Sequence, residues 1–540
     1  MVSIQLFQPT AYHLGRFVIS GDPQHLAFGR TGVHKQIYDL VDGFLLVRAE
    51  PEQKVYLQRL IKIIFKLFPD APGIDRVRVV PINVMNQTSN QKLNDKAWAR
   101  WSALFVVAFT MMAAYYVNDI MAPLKSMLEG ELHWTSGEFG FFTGAYSFLN
   151  VFLLMLIWGG LILDKFGIRF TGMLSTILMV GGTICEYAAI TRFGGTEEML
   201  FGYKLDVFMA SAGYSVFGVG AEVAGITVTK IIAKWFHGKE MALAMGVQVA
   251  LARVGSQVAY AVAIPVAKNW HLDTPLLIGA ILLVGGLVSF LCFTFMDRKL
   301  DRQVTIDTSC GDDEKFSFKD VVAVVSNPGF WLIALLCVLF YSCVFPFQKF
   351  ATELMVTKYN VSEDIAGTFA GLPALGALFL TPVFGGMIDR RGKAASIMML
   401  GAFMLICVHA IYAIPFIHAS WVAIILMIIL GIAFSLVPSA MWPSVAKIFP
   451  VKQLGTAYAL IFFIQNIGLW GIPALIGSVL ENYCITGQEI VNGKTTNLYD
   501  YTLPMCIFTG IAILSLLVAF FLKSADKKYG YGLEKANLKK

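Results

Sequence analysis

The chain has 540 residues, 57% hydrophobic and only 14% charged, with a net charge of +6 and 42 phenylalanines. A soluble chain of this length carries charge on about a quarter of its residues, so this composition excludes an ordinary soluble domain and points to a polytopic membrane protein. The positive balance does not make a nucleic-acid binder, because Lys and Arg gather in short loops between apolar runs and form no basic stripe with interleaved aromatics.

Residues 1–97 read as a polar leader. Within it, 1–84 are mixed in character and hold one basic amphipathic stretch, Gln53 to Phe68. That stretch fits a helix lying on a membrane surface. Equally, translation beginning at Met85 leaves a short polar lead into the first apolar run, and no signal peptide with a small-residue cleavage site stands at either start. Six apolar spans follow at about 98–121, 138–162, 170–191, 206–230, 241–266 and 273–296. A charged linker, 297–328, contains Asp297-Arg298-Lys299 and Gly311-Asp312-Asp313-Glu314-Lys315. Six more spans lie at about 329–350, 363–388, 394–415, 420–446, 453–480 and 502–523, and 524–540 form a tail. The expected architecture is an all-α membrane protein of 12 transmembrane helices in two pseudo-symmetric six-helix bundles, 98–296 and 329–523. Basic residues before span 1, around Lys234 and Lys239, in the linker, at Lys447 and Lys452 and in the tail place both termini in the cytoplasm.

One pattern occurs in both halves. Gly160 to Arg169 reads GLILDKFGIR, and Gly385 to Lys393 reads GGMIDRRGK. In each, a glycine ends an apolar run, an aspartate and a basic residue follow, and a second glycine allows a tight turn before the next span. Asp164, Lys165 and Arg169, with Asp389, Arg390 and Lys393, are therefore candidate gating residues, expected to hold one closed arrangement through charged contacts to adjacent helix ends. Two copies in register indicate an internally duplicated membrane protein. They resemble the loop 2–3 and loop 8–9 signature of the major facilitator superfamily.

Eight cysteines are scattered with no C-x-x-C pair, most inside apolar spans, and no phosphate-binding loop of the G-x-x-x-x-G-K-[ST] type is present. A disulfide framework, a zinc site and direct ATP drive are disfavoured, and no cofactor or enzymatic constellation is expected. What remains is a carrier or channel for a small molecule in the lipid bilayer.

Ionisable groups inside spans are expensive and usually functional. The sequence offers Asp119 in span 1, Glu186 in span 3, Glu222 in span 4 and Arg253 in span 5. Spans 4 and 5 form a hairpin, which puts Glu222 and Arg253 at roughly 15 and 20 Å depth at 1.5 Å per residue, near the middle of a core about 30 Å thick. An acid and a guanidinium there either neutralise each other or bind the two ends of a zwitterion, Glu222 taking an ammonium and the Arg253 fork a carboxylate. Tyr115, Asp119 and Gln257 share the first half of such a cavity, and Tyr341, Trp442, Gln465 and Asn466 the second. Each also fits packing, interfacial anchoring or interhelical hydrogen bonding.

Further stretches carry a closer resemblance: Phe217 to Glu222, Lys234 to Glu240, Ala252 to Ser256, Phe345-Pro346-Phe347, Met441 to Ala446, Leu454 to Tyr458 and Gln465 to Leu469. Over about 98–523 the chain resembles the dipeptide-uniporter branch of that superfamily, lysosomal in animals and with prokaryotic relatives. The resemblance implies transport of dipeptides by alternating access, with Glu222 and Arg253 matching the acid and arginine that read the amino and carboxyl ends. Residues 1–97 contain no acidic dileucine sorting signal of the D/E-x-x-x-L-L/I type, and Asn118-Asp119 stands where the animal proteins carry an acidic-Asn-Pro sequence. The expected location is accordingly a cell inner (cytoplasmic) membrane, with the lysosomal membrane as the alternative. A proton-coupled carrier of organic anions, with Arg253 on the anion and Asp119 or Glu222 on the proton, is the nearest competing reading. A transport-inactive receptor or scaffold is the reading of another class.

Overall fold

The computed structural model describes residues 92–304 apart from 238, then 318–491 and 494–536. Residues 1–91 of the leader, with the amphipathic stretch, and the Gly311–Lys315 part of the linker lie outside them. Among the described residues, eleven helical runs are long and apolar enough to cross a membrane. The expected span 2 is the one that is not a separate run among them. Its first part is Ser136–Phe152, opened by a capping box in which Thr135 and Glu138 bond each other's backbone N–H. The helix then breaks at Leu154, whose φ of 51° is left-handed, and resumes as the run Met155–Phe193. That run turns at Gly167, with φ 77° and ψ 174°, so it holds the end of span 2 and all of span 3.

The other spans run longer than their apolar cores. Span 1 is Ala97–Ile120 and continues as Lys125–Leu132. Span 4 is Leu205–Trp235, span 5 Met241–Asn269 and span 6 Thr274–Val304. In the second half, span 7 is Pro328–Tyr359, started by Asn327 as a cap with Pro at the first helical position. Span 8 is Glu363–Ala370 followed by Leu372–Arg391, span 9 Ala394–Ala413, span 10 Ser420–Ile448, span 11 Val451–Tyr483 and span 12 Thr502–Tyr529. The linker contributes one short helix, Phe318–Val325. The turn glycines of the two motif copies both adopt positive φ, 77° at Gly167 and 71° at Gly392. Only glycine does so without steric cost, which explains the repeated G in each copy.

Packing repeats with the sequence. Span 1 packs on spans 5 and 6 as span 7 packs on 11 and 12; spans 2–4, 3–4 and 3–6 are matched by 8–10, 9–10 and 9–12. Between the halves, the pairs are spans 2–11 and 5–8, which exchange under the same six-span shift. The seams of these cross-bundle pairs are tight. A Cβ on Gly140 would meet the Pro473 carbonyl at 2.5 Å, and one on Gly367 the Tyr260 carbonyl at 2.3 Å. Small residues here let backbones touch, the usual means of helix association in lipid.

The motif turns, linker and tail emerge on one side, called the loop side below; the other is the far side. Two antiparallel hairpins decorate the far side, Met199–Leu200 with Tyr203–Lys204 and Ile485–Val491 with Lys494–Tyr499. The sequence reading assigns no strand, although Asn492-Gly493 is the two-residue signal for the longer hairpin. On the loop side, Tyr531 donates to Asn327 at 3.1 Å and the Glu534 carboxylate accepts from Ser396 N–H at 2.8 Å, so part of the expected tail folds back on spans 7 and 9. Arg100 and Lys239 tie the start of span 1 to the span 4–5 turn, meeting Glu240 and Asp95. The hydrogen bonds they donate hold both carboxyls below the usual range. A depressed carboxyl stabilises the fold above its unfolded value, so these contacts are lost as pH falls through the acidic range.

Candidate functional site

At the centre of the bundles, spans 1, 2, 4 and 5 face spans 7 and 10. Glu222 and Arg253 do not pair with each other. The Glu222 carboxylate accepts a hydrogen bond from Tyr146 of span 2 at 3.0 Å. Among the described residues, the Arg253 guanidinium has aromatic faces around it and no ion pair: Phe434 at 4.9 Å, Tyr115 at 5.4 Å and Phe345 at 5.9 Å. Phe345 and Phe434 belong to the second half, so this cation–π box crosses the bundle interface. Tyr115 stands within electrostatic reach of both Arg253 and Glu222. Each such contact contributes about 0.5–2 kcal/mol, far less than a carboxylate would give the same fork.

The box continues into the second half. Tyr341 stacks on Phe345 with centroids 5.4 Å apart, and the Trp442 indole N–H donates to the Tyr341 hydroxyl at 3.2 Å. Trp442 in turn stacks on Phe462 at 4.8 Å. Tyr115, Arg253, Tyr341 and Trp442 are thus brought together as one aromatic-lined group. Gln465 sits beside it, accepting from the Cys337 thiol at 3.3 Å. Asn466 donates to its own helix at Phe462 O. Gln257 reaches across to Thr368 O of span 8 at 3.3 Å and lies under Gly371, so it belongs to the cross-bundle seam.

Asp119 departs from its expected place. It lies on the far side of the box, in a 3.0 Å ion pair with Lys349 of span 7, whose ammonium also meets the Asn118 carbonyl at 2.6 Å. Tyr214 donates to the same carbonyl at 2.8 Å. A second charged cluster lies beyond it. Lys125 donates to Glu129 at 2.6 Å and to Glu353 of span 7 at 2.7 Å, and only 1% of its side chain is exposed. Ser136 and Tyr499 donate to Glu129, and Tyr501 to Glu353. Glu481 of span 11 accepts from Thr135 Oγ and Gly137 N, both at 2.9 Å. These cross-bundle polar contacts all lie on the far side, where the bundles are closed against each other.

The motif residues lie on the loop side, within their own halves. Asp164 pairs with Lys230 of span 4 at 2.9 Å, and Arg169 with Asp301 at 2.9 Å. Lys165 covers the Phe166 ring. Lys393 caps span 9 in a left-handed conformation and its N–H meets Glu534 O at 3.1 Å. Asp389 and Arg390 close span 8 one turn before it.

The sequence model of the Major Facilitator Superfamily matches residues 104–473. The chain belongs to this superfamily. It is a multi-pass membrane transporter and not an enzyme. Among superfamily members, the lysosomal dipeptide transporter MFSD1 of Bos taurus is 27% identical over 397 residues, 71% of this chain and 80% of that one. The Homo sapiens protein of the same name is 27% identical over 398 residues, with the same coverage. Solved superfamily structures share the fold. The nucleoside transporter NupG aligns with a TM-score of 0.58 at 13% identity, covering 78% of this chain and 98% of its own. A D-xylose–proton symporter aligns with a TM-score of 0.57 at 13% identity, over 78% and 97%.

Several members of the site escape a reading of spans alone. Tyr146, Phe345 and Phe434 look like ordinary membrane aromatics, and only the tertiary contact to Glu222 or Arg253 marks them. Lys125, Glu129 and Glu353 lie past the ends of the apolar runs, which end at about 121 and 350. Lys349 sits one residue inside that limit, where a lysine reads as a helix end reaching the interface. Breaking the Asp119–Lys349 pair tests its role. Asp119→Asn and Lys349→Met should each destabilise the far-closed state, while the double variant recovers part of the loss. Thermal unfolding should return a coupling of about 0.5–3 kcal/mol; strictly additive losses would remove this pair from the gate.

Proposed function

We propose that the protein carries small zwitterions, most readily dipeptides, by alternating access about the Glu222–Arg253 site, with linker and termini in the cytoplasm. The observation that carries the reading is the separation of the two charges. Glu222 is met by a phenol and Arg253 by aromatic faces, with Tyr115 within electrostatic reach of both. A pair that existed only to neutralise itself would close directly, because each unmet charge at mid-membrane costs several kcal/mol. A dipeptide supplies what is missing at both ends: an ammonium for Glu222 and a planar carboxylate for the Arg253 fork. The MFSD1 relatives are named as dipeptide transporters, which agrees with this chemistry. The orientation rests on the concentration of Lys and Arg on the loop side.

Arg253 also couples binding to movement. Its box is made half by span 1 and half by spans 7 and 10, so a carboxylate drawn to the guanidinium is drawn to the bundle interface. The motif pairs Asp164–Lys230 and Arg169–Asp301 stay inside one bundle in this far-closed state. We assign them to the loop-side gate, away from substrate.

Capping either end of the ligand leaves one charged residue unmet, and losing one partner of a desolvated charge pair costs about 2–5 kcal/mol, or roughly 30- to several-thousand-fold in affinity. N-acetylated and C-amidated dipeptides should therefore both bind far more weakly than the free dipeptide in a thermal-shift or calorimetric titration, and Arg253→Lys should fail to restore binding. Tolerance of the acetyl cap with loss only on amidation would instead support a carrier of organic anions. Normal dipeptide transport by Glu222→Gln with Arg253→Met would move the site elsewhere. For the gate, Asp164→Asn should slow turnover and leave substrate affinity within about a few-fold, the energy of an exposed pair being small. Complete loss of binding by a folded Asp164→Asn protein would contradict this assignment.

A further inference from the structure

Glu186 in span 3 is fully buried, and among the described residues neither carboxyl oxygen has a hydrogen-bond partner. It takes no part in the site described above. Seven residues separate it from Phe193, the far-side end of the span, a rise of roughly 10 Å at 1.5 Å per residue. An ionised carboxylate without a partner cannot be held in such a place, so the group is a neutral acid in this conformation.

The groups around it are few. Tyr214 of span 4 and Lys349 of span 7 act on it electrostatically, and Cys185 is its neighbour on span 3. Lys349 is already engaged by Asp119 of span 1. Tyr187, the next residue, interacts electrostatically with Asp273, just before span 6. Tyr146 of span 2 packs against Tyr214 with ring centroids 5.7 Å apart. Toward the loop side the path is closed by backbone contact. A Cβ on Gly182, one turn below Glu186, would lie 2.5 Å from both the Gly213 carbonyl and the Phe217 nitrogen of span 4. Toward the centre, Phe142, Tyr214 and Phe217 form a continuous ring stack, with centroids 4.9 and 5.8 Å apart.

We propose that Glu186 is a proton-binding site served only from the far side. When the far side opens, Lys349 leaves with span 7, water reaches the carboxyl, and its proton passes to that water. When the far side closes, a proton from far-side water returns to the carboxylate oxygen before the water is expelled. The proton enters and leaves by the same side and is not carried across. Far-side acid therefore favours the far-closed state by linkage, since that state binds one proton more. This inference rests on alternating access but not on the identity of the solute.

The test is the distance between spin labels at positions 193 and 416, on the far-side ends of spans 3 and 9, in protein lacking its native cysteines, reconstituted in nanodiscs, between pH 5 and 8. The ratio of far-open to far-closed protein should rise with pH, by up to about tenfold per unit for one proton. Glu186→Gln, which keeps the neutral form's shape, should stay folded, remain far-closed and lose that dependence. An unchanged pH dependence in this variant would assign the effect to Glu129 or Glu353 and overturn the proposal. Failure of the variant to fold would also overturn it, because the neutral form would then not suffice. In proteoliposomes, a gradient acidic on the far side should not drive substrate accumulation. Glu186-dependent accumulation would mean that the proton does cross.

Discussion

A charge inside a membrane must be met by an opposite charge, a hydrogen bond or water, and an unmet one costs several kcal/mol. The interior charges of this protein divide by how that demand is answered. On the far side it is answered within the chain and across the bundles, by Lys349 with Asp119 and by Lys125 with Glu129 and Glu353. At the centre it is left to weak partners, a tyrosine hydroxyl for Glu222 and aromatic faces for Arg253. The first arrangement holds two bundles together; in the second, the proposed solute would supply the missing partners. The same constraint thus bears on both the closed far side and the proposed site.

The duplicated sequence converts this into a machine with two ends. The main contacts among spans 1–6 have counterparts six spans later, and the cross-bundle pairs 2–11 and 5–8 exchange under the same shift. The two halves can thus roll over each other with little internal rearrangement. Glycines in the seams allow backbone contact on the far side. Arg253 sits where both halves contribute to its surroundings, so a ligand that satisfies it acts on their relation.

Much of this was legible in the sequence. Hydropathy and the twin D-[KR]-x-G turns were enough for twelve spans in two halves, and both turn glycines have the positive φ that the pattern required. Tyr115, Arg253, Tyr341 and Trp442 come together as one aromatic group. Asp119 shares a face with Tyr115, but face-sharing on one helix says nothing of what the opposite bundle presents, and Lys349 meets it there. Hydropathy marks only the apolar core of a span, so it gives no signal for the polar helical turns beyond it, which hold Lys125, Glu129 and Glu353. The break at Leu154 has no proline or glycine beside it, and no local signal announces it.

The central claim is that solute binding at Arg253 moves the bundles reciprocally. It is tested most directly by adding a second label pair, at positions 166 and 391 on the loop-side ends of spans 2 and 8, to the far-side pair at 193 and 416. With a dipeptide present, the loop-side distance should shorten and the far-side distance lengthen in the same fraction of molecules, and Arg253→Met should abolish both changes. Distances that ignore the dipeptide, or that change at one end alone, would contradict the account.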